Sequence, residues 1–133
     1  MKSLNKKNIL VADNDPSIIS IFDFILQQVG YPALTTSSGR RCLDLISQNP
    51  QLTLLFLDIN LKDISGIELI KEIQKRNPNL LILLMTGYGV DNILAPAFDL
   101  GIYGIIYKPF DIEEVMEILN TLFKTKSDMN PNA

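Results

Sequence analysis

Residues 54–69 read LLFLDINLKDISGIEL. Leu54-Leu55-Phe56-Leu57 is a continuous apolar run without polar alternation, which suits a strand covered on both faces of a parallel sheet. Asp58 closes the run with a carboxylate. Leu69, Ile70 and Ile73 then recur at helical spacing, and the pattern stops before Pro78. A buried strand, a polar strand end and an amphipathic helix therefore follow one another.

The same unit recurs on both sides. Ile9-Leu10-Val11-Ala12, Leu80 through Met85 and Gly104-Ile105-Ile106-Tyr107 are further apolar runs, and Ala33-Leu34-Thr35-Thr36 is a more polar one suited to a sheet edge. Ile18, Ile21, Phe22, Ile25, Leu26 and Val29 predict a helix with Pro16 in its first turn and Gly30 as its stop. Cys42, Leu45 and Ile46 mark a second helix. Val90, Ile93, Leu94, Ala97 and Phe98 mark the fourth, which Pro96 should kink or shorten. Ile112, Val115, Met116, Leu119, Leu122 and Phe123 mark the last. Five successive strand–helix units predict an α/β fold: a single doubly wound five-stranded parallel sheet with five helices on its two faces. Residues 1–7 read as a basic N-terminal arm, 8–124 as one domain, and 125–133 as a polar tail or linker stub.

Composition narrows the function. The 133 residues are 47% hydrophobic, enough for a continuous core and too apolar for a disordered chain. The net charge is −3 and the cations are scattered, so no basic stripe predicts direct nucleic-acid binding. With no histidine in the chain, a His-based triad, a histidine metal site and a phosphohistidine of its own are all excluded. The single cysteine, Cys42, falls on an apolar helix face and reads as a small buried hydrophobe. Residues at the N-terminus lack the charged-then-apolar pattern of a signal peptide and no apolar run reaches bilayer length, so a reducing cytoplasm is the expected location, with no membrane partner expected.

In a doubly wound sheet, chemistry belongs at the carboxyl ends of the strands. Asp13, Asn14 and Asp15 follow the first strand, Asp58 the third, Thr86-Gly87 the fourth, and Lys108-Pro109-Phe110 the fifth. Carboxylates, a hydroxyl and an ammonium thus meet at one edge, a set suited to phosphoryl transfer onto a carboxylate. At 4 Å and an effective dielectric of about 20, each like-charge pair costs on the order of 4 kcal/mol, so a cation must offset the approach. Oxygen donors from Asp13, Asp58 and their neighbours suit Mg²⁺. Lys108 supplies a fixed positive charge, the Thr86 hydroxyl a donor, and Gly87 an uncovered backbone N–H. Taken singly, a lone Asp after a strand is usually a helix cap. Asp15, before Pro16, reads equally as a cap and as part of the acidic cluster.

The segments ILVADNDPSI from Ile9, LLFLDINLKDISGIEL from Leu54, LLMTGYG from Leu83 and YKPF from Tyr107 together resemble the response-regulator receiver domain, the phosphoacceptor family of two-component signalling. The resemblance covers roughly residues 8 to 124. Spacing agrees with it: 45 residues from Asp13 to Asp58, 28 from Asp58 to Thr86 and 22 from Thr86 to Lys108. It implies a flavodoxin-like strand order 2-1-3-4-5 and phosphorylation of Asp58. It also implies Mg²⁺ held by Asp13, Asp58, the backbone carbonyl of Asn60 and the residue at position 14, with Thr86 and Lys108 on the phosphoryl group. Lys108-Pro109 would be a cis peptide. The phosphodonor would be a sensor histidine kinase or a phosphotransfer protein. The output would pass to an effector domain or target protein, from a monomer or weak homodimer. Such a domain assists its own phosphorylation and dephosphorylation but is not a metabolic enzyme.

Three positions depart from the pattern. Asn14 stands where a second acid usually touches the metal, which removes one formal charge. Ile105 stands where an aromatic usually swings inward; the flanking Tyr103 and Tyr107 read either as replacements on the signalling surface or, more simply, as residues that pack or face solvent. Lys62 stands where proline is common, which with Asp63 predicts a looser loop, closed by Gly66 as its stop. Asn14 and Ile105 leave open a pseudo-receiver that docks partners without phosphorylation. Asp13-Asn14-Asp15 also resembles the D-x-D motif of haloacid-dehalogenase-type phosphatases, with Asp13 as nucleophile, but the chain is short for that family and lacks the later acidic pair.

Overall fold

The apolar runs and helical patterns become ten alternating elements in the computed structural model, which describes residues 7–87 and 91–123. They are β1 (Ile9–Ala12), α1 (Pro16–Gln28), β2 (Ala33–Thr36), α2 (Gly39–Gln48), β3 (Leu54–Asp58), α3 (Gly66–Arg76), β4 (Leu81–Thr86), α4 (Asp91–Asp99), β5 (Gly104–Tyr107) and α5 (Ile112–Leu122). The strands make one parallel sheet in the order β2-β1-β3-β4-β5, as expected. The arm short of Lys7, the tail at 125–133 and Val90 lie outside the described residues.

The uninterrupted apolar runs are explained by helices on both faces. Leu10, Ala12, Leu55, Leu57, Ile82 and Leu84 pack with Cys42 and Ile46 of α2, Leu69 and Ile73 of α3, and Ala97 of α4. Their neighbours Ile9, Val11, Leu54, Phe56, Leu83 and Met85 point the other way, onto Phe22 and Leu26 of α1 and Val115 and Leu119 of α5. The period of two divides β1, β3 and β4 between two cores, so both halves of each run must be apolar. Each fully buried Leu, Ile or Phe contributes roughly 1.5–3 kcal/mol.

Helix ends follow local chemistry. Asp15 caps α1, accepting from the Ser17 amide at 2.9 Å, so the cap reading of this residue holds. Ser38 and Ser65 cap α2 and α3. Asp111 and Glu114 cap α5 reciprocally, each side chain accepting from the other's backbone N–H. At the other ends, Gly30 (φ 86°) and Gly101 (φ 95°) adopt the left-handed conformation that closes α1 and α4. The Ile102 amide reaches back to the Ala97 carbonyl, and that of Gly101 to Phe98. Pro96 is accommodated inside a nine-residue α4 that extends to Asp99. Asn92 and Pro96 both lie on its exposed side, where water can serve the carbonyl that proline leaves without a donor.

Gly66 corrects an expectation. It opens α3 rather than stopping the preceding loop. A Cβ there would lie 2.9 Å from the Ile59 carbonyl oxygen, so the residue is small because β3's exit passes directly over it.

Candidate functional site

Strand register brings the polar strand ends together. Ala12 pairs with Leu57, so Asp13 and Asp58 come one step later on adjacent strands. Asp58 pairs with Met85, and Thr86 pairs with Tyr107, which places Lys108 just beyond β5. The Lys108 amide donates to the Thr86 carbonyl at 2.7 Å, drawing the loop after β5 against β4. Phe110 anchors the same loop from below, its ring centroid 5.5 Å from that of Phe22, which in turn stands 4.7 Å from Phe56. The Lys108-Pro109 peptide is cis.

Asp13 is fully buried and Asp58 is 4% exposed. One oxygen of each carboxylate is held by a local backbone donor: Asp13 Oδ1 by the Asp15 amide at 2.8 Å, Asp58 Oδ1 by the Asn60 amide at 3.0 Å. The other oxygens face the Lys108 ammonium, at 2.8 Å for Asp13 Oδ2 and 3.6 Å for Asp58 Oδ2. Asp13 Oδ2 makes the shorter of the two contacts with the ammonium, and among the described residues no backbone N–H is directed at it. Burial raises the Asp13 carboxyl above its ordinary range, more than the neighbouring ammonium and amide lower it.

Thr86 is buried, and its hydroxyl donates to the Gly87 carbonyl at 3.1 Å. Among the described residues, nothing lies within 4 Å of where a Cβ on Gly87 would stand. Asn14 is exposed and lines a groove with Asp13, Pro16, Ile19 and Thr36. Asn60 is exposed between the buried Ile59 and Leu61. The structure therefore gathers Asp13, Asp58 and Lys108 into direct contact, with Thr86 joined through the Lys108 backbone. It leaves Asn14 and Asn60 on the rim.

The donor set fits Mg²⁺. Asp13 and Asp58 each keep one oxygen without a backbone donor, and Mg²⁺ takes one or two carboxylates and completes its shell with water and substrate oxygens. Among the described residues no group of three or more His, Cys, Asp or Glu forms a fully protein-made cage.

The loop after β3 corrects another expectation. Instead of loosening it, Asp63 ties it to the start of α2. Its Oδ1 accepts from the Gly39 amide at 2.9 Å, and its Oδ2 from the Arg40 amide at 3.0 Å and the Ser38 hydroxyl at 2.9 Å. Backbone hydrogen bonds, that of Arg40 first, lower its carboxyl to about 2. The signal missed was at the other end of the contact: α2 begins Gly39-Arg40-Arg41, with two cations and no acid in its first turn. Near the fifth strand, Ile105 is half-buried against the α2–α4 core and Tyr103 is about half exposed.

A doubly wound parallel sheet with two acids and a lysine meeting at its carboxyl edge defines a class of signalling α/β domains. The chain belongs to the response regulator receiver domain family, whose model matches residues 9–120. Sporulation initiation phosphotransferase F of Bacillus subtilis (strain 168) is 28% identical over 126 residues, covering 94% of this chain and 99% of that protein. The DNA-binding transcriptional regulator NtrC of Klebsiella pneumoniae is 30% identical over 111 residues, 83% of this chain, which spans only 23% of that regulator's length. In fold the chain is similar to a CheY-like receiver domain protein from Methanospirillum hungatei JF-1, with TM-score 0.83, 24% identity, and coverage of 95% of this chain and 100% of that one. Among the described residues no helix is long and apolar enough to cross a membrane.

Proposed function

We propose that residues 8–124 form a phosphoacceptor unit in which Asp58 takes a phosphoryl group from the phosphohistidine of a partner histidine kinase or phosphotransfer protein. The observation that carries this reading is the Lys108 ammonium set between two buried carboxylates, 2.8 Å from Asp13 and 3.6 Å from Asp58. Receiver-family membership and the match along nearly the full length of a phosphotransferase-named relative support it. A cytoplasmic setting, a monomer or weak homodimer, and an effector domain or target protein as the reader of the signal complete the proposal. Direct nucleic-acid or membrane contact has no part in it.

In the reaction an oxygen of the Asp58 carboxylate attacks phosphorus. The new O–P bond forms as the donor's P–N bond breaks, and the imidazole leaves with the bonding electron pair. Lys108 offsets the charge gathered on the Asp58 side of the phosphoryl group. Thr86 turns its hydroxyl from the Gly87 carbonyl to a phosphoryl oxygen. Asp13, Asp58, the Asn60 carbonyl and the Asn14 amide oxygen would hold Mg²⁺, which when bound neutralises and polarises phosphoryl oxygens. Redirecting Thr86 pulls on the residues that follow β4, and this shifts a pre-existing equilibrium of the α4–β5–α5 face.

Intact-mass analysis after incubation with acetyl phosphate, with and without Mg²⁺, tests the proposal. A Mg²⁺-dependent gain of one phosphoryl group that is lost in Asp58→Ala is expected. Labelling that survives Asp58→Ala and disappears in Asp13→Ala would instead favour a D-x-D phosphatase. No adduct on the folded wild-type chain would favour the second reading, a phosphorylation-independent docking module. That reading is motivated by the uncharged Asn14 and by Ile105 in place of a mobile aromatic.

A further inference from the structure

The amides of Gly39, Arg40 and Arg41 open α2 and have no acceptors within their own helix. Ser38 Oγ accepts from Arg41 at 3.1 Å, and the other two donate to Asp63, from the loop after β3. A full accounting of the first turn therefore needs a residue 24 positions downstream of Gly39. Electrostatics points the same way. The positive end of the α2 dipole carries Arg40 and Arg41 and no acid of its own, and Asp63 is the negative charge placed there. Packing reinforces the contact: a Cβ on Gly39 would collide with Ile64 Cγ2, so the loop lies directly on the start of the helix.

The same loop carries the rim of the phosphoacceptor site. From Asp58 it runs through Ile59, buried, to Asn60, whose amide donates to Asp58 Oδ1, and then through Leu61, buried again. Two apolar anchors hold the early part. Beyond Leu61, Lys62 is exposed, and Asp63 is the next residue with bonds to another element. Position 62 has no proline to restrict the chain, so the order of this segment must come from contacts rather than from a stiff backbone.

We infer that Asp63 is a positioning residue for the phosphoacceptor site: by capping α2 it holds the β3–α3 loop so that the Asn60 peptide stays registered against Asp58. The inference rests on the phosphoacceptor reading above and adds a residue that touches none of the reacting atoms. Its consequence is specific. Losing the Asp63 contacts leaves Asp13, Asp58 and Lys108 in place, since their strands and ion pairs do not involve it, but lets the Asn60 carbonyl wander. Divalent-cation affinity then falls more than the phosphorylation rate at saturating Mg²⁺.

The test is a Mg²⁺ titration of wild type, Asp63→Ala and Asp63→Asn. It is read by the backbone amide shifts of residues 58–61 and, in parallel, by phosphorylation rate with acetyl phosphate. For Asp63→Ala the half-saturating Mg²⁺ concentration should rise on the order of tenfold, as for other residues that orient metal ligands. The rate at saturating Mg²⁺ should change less. Asp63→Asn keeps one acceptor oxygen and an amide that can donate to Ser38 Oγ, and should recover part of the affinity. A folded Asp63→Ala that titrates like wild type overturns the inference. Should Asp63→Ala fail to fold, an unaltered midpoint in Asp63→Asn does the same. Wild type that neither titrates nor gains a phosphoryl group on Asp58 would instead refute the phosphoacceptor reading itself.

Discussion

The Lys108 ammonium sits 2.8 Å from Asp13 Oδ2, closer than it sits to Asp58. Asp13 is fully buried at the end of β1 while the Lys108 side chain keeps 26% of its surface, so the acid depends on the base more than the reverse. Removing the lysine leaves a buried carboxylate oxygen with no counter-charge. We expect Lys108→Met to lower the unfolding free energy by roughly 1–3 kcal/mol without Mg²⁺. Adding Asp13→Asn to Lys108→Met should recover part of that loss. Urea midpoints of wild type, Lys108→Met, Asp13→Asn and the double variant check this, and simple additivity would show that the pair is not coupled.

Asn14→Asp restores a carboxylate beside the metal donors. It should tighten Mg²⁺ binding, because one more negative charge faces the cation, and it should destabilise the metal-free protein through repulsion with Asp13. Calorimetric Mg²⁺ titration combined with thermal unfolding, with and without Mg²⁺, reads both effects. Tighter binding without metal-free destabilisation would place the new carboxylate too far from Asp13 to repel it.

Asp63 makes acid stability traceable to one contact. Its folded value, about 2, lies below the ordinary 3.8, so its contribution is present above 3.8 and is lost as pH falls through about 2. The difference in stability between wild type and Asp63→Ala should therefore be constant near neutral pH and close across that acid window. The carboxylate is exposed and its bonds are screened, so the difference should also shrink in high salt.

Cys42 is fully buried, and burial, followed by the charge of Asp63, pushes its thiol up to about 12. The native protein should resist thiol reagents at neutral pH and react at the rate at which it opens, rising steeply with urea. Prompt native-state labelling would contradict the packing of α2 on the sheet.

The central strands β1, β3 and β4 could be placed from the sequence because each divides its side chains between two cores, which leaves an apolar run with no alternation; β2, at the edge, showed as a more polar one. The helices could be placed because their apolar residues recur at helical spacing, and because signals such as Pro16 and Gly30 lie within a few residues of the element they bound. The site was legible for a related reason: in a parallel doubly wound sheet every strand ends at the same edge, so Asp13, Asp58, Thr86 and Lys108 are neighbours by topology. Asp63 was harder, because its partners lie in α2 and a lone Asp in a loop has many uses.

Element identity, sheet type and the polar residues at the strand ends follow from patterns local to the chain, where periodicity and neighbouring residues carry the energetic preference. Three things were decided only by folding: that Lys108 leans on Asp13 more closely than on Asp58, that Asp15 turns to its own helix, and that Asp63 crosses to α2. Each is a choice among nearby partners by a charged or polar group. Distances of a few ångströms make that choice, and they exist only once the separate segments have packed.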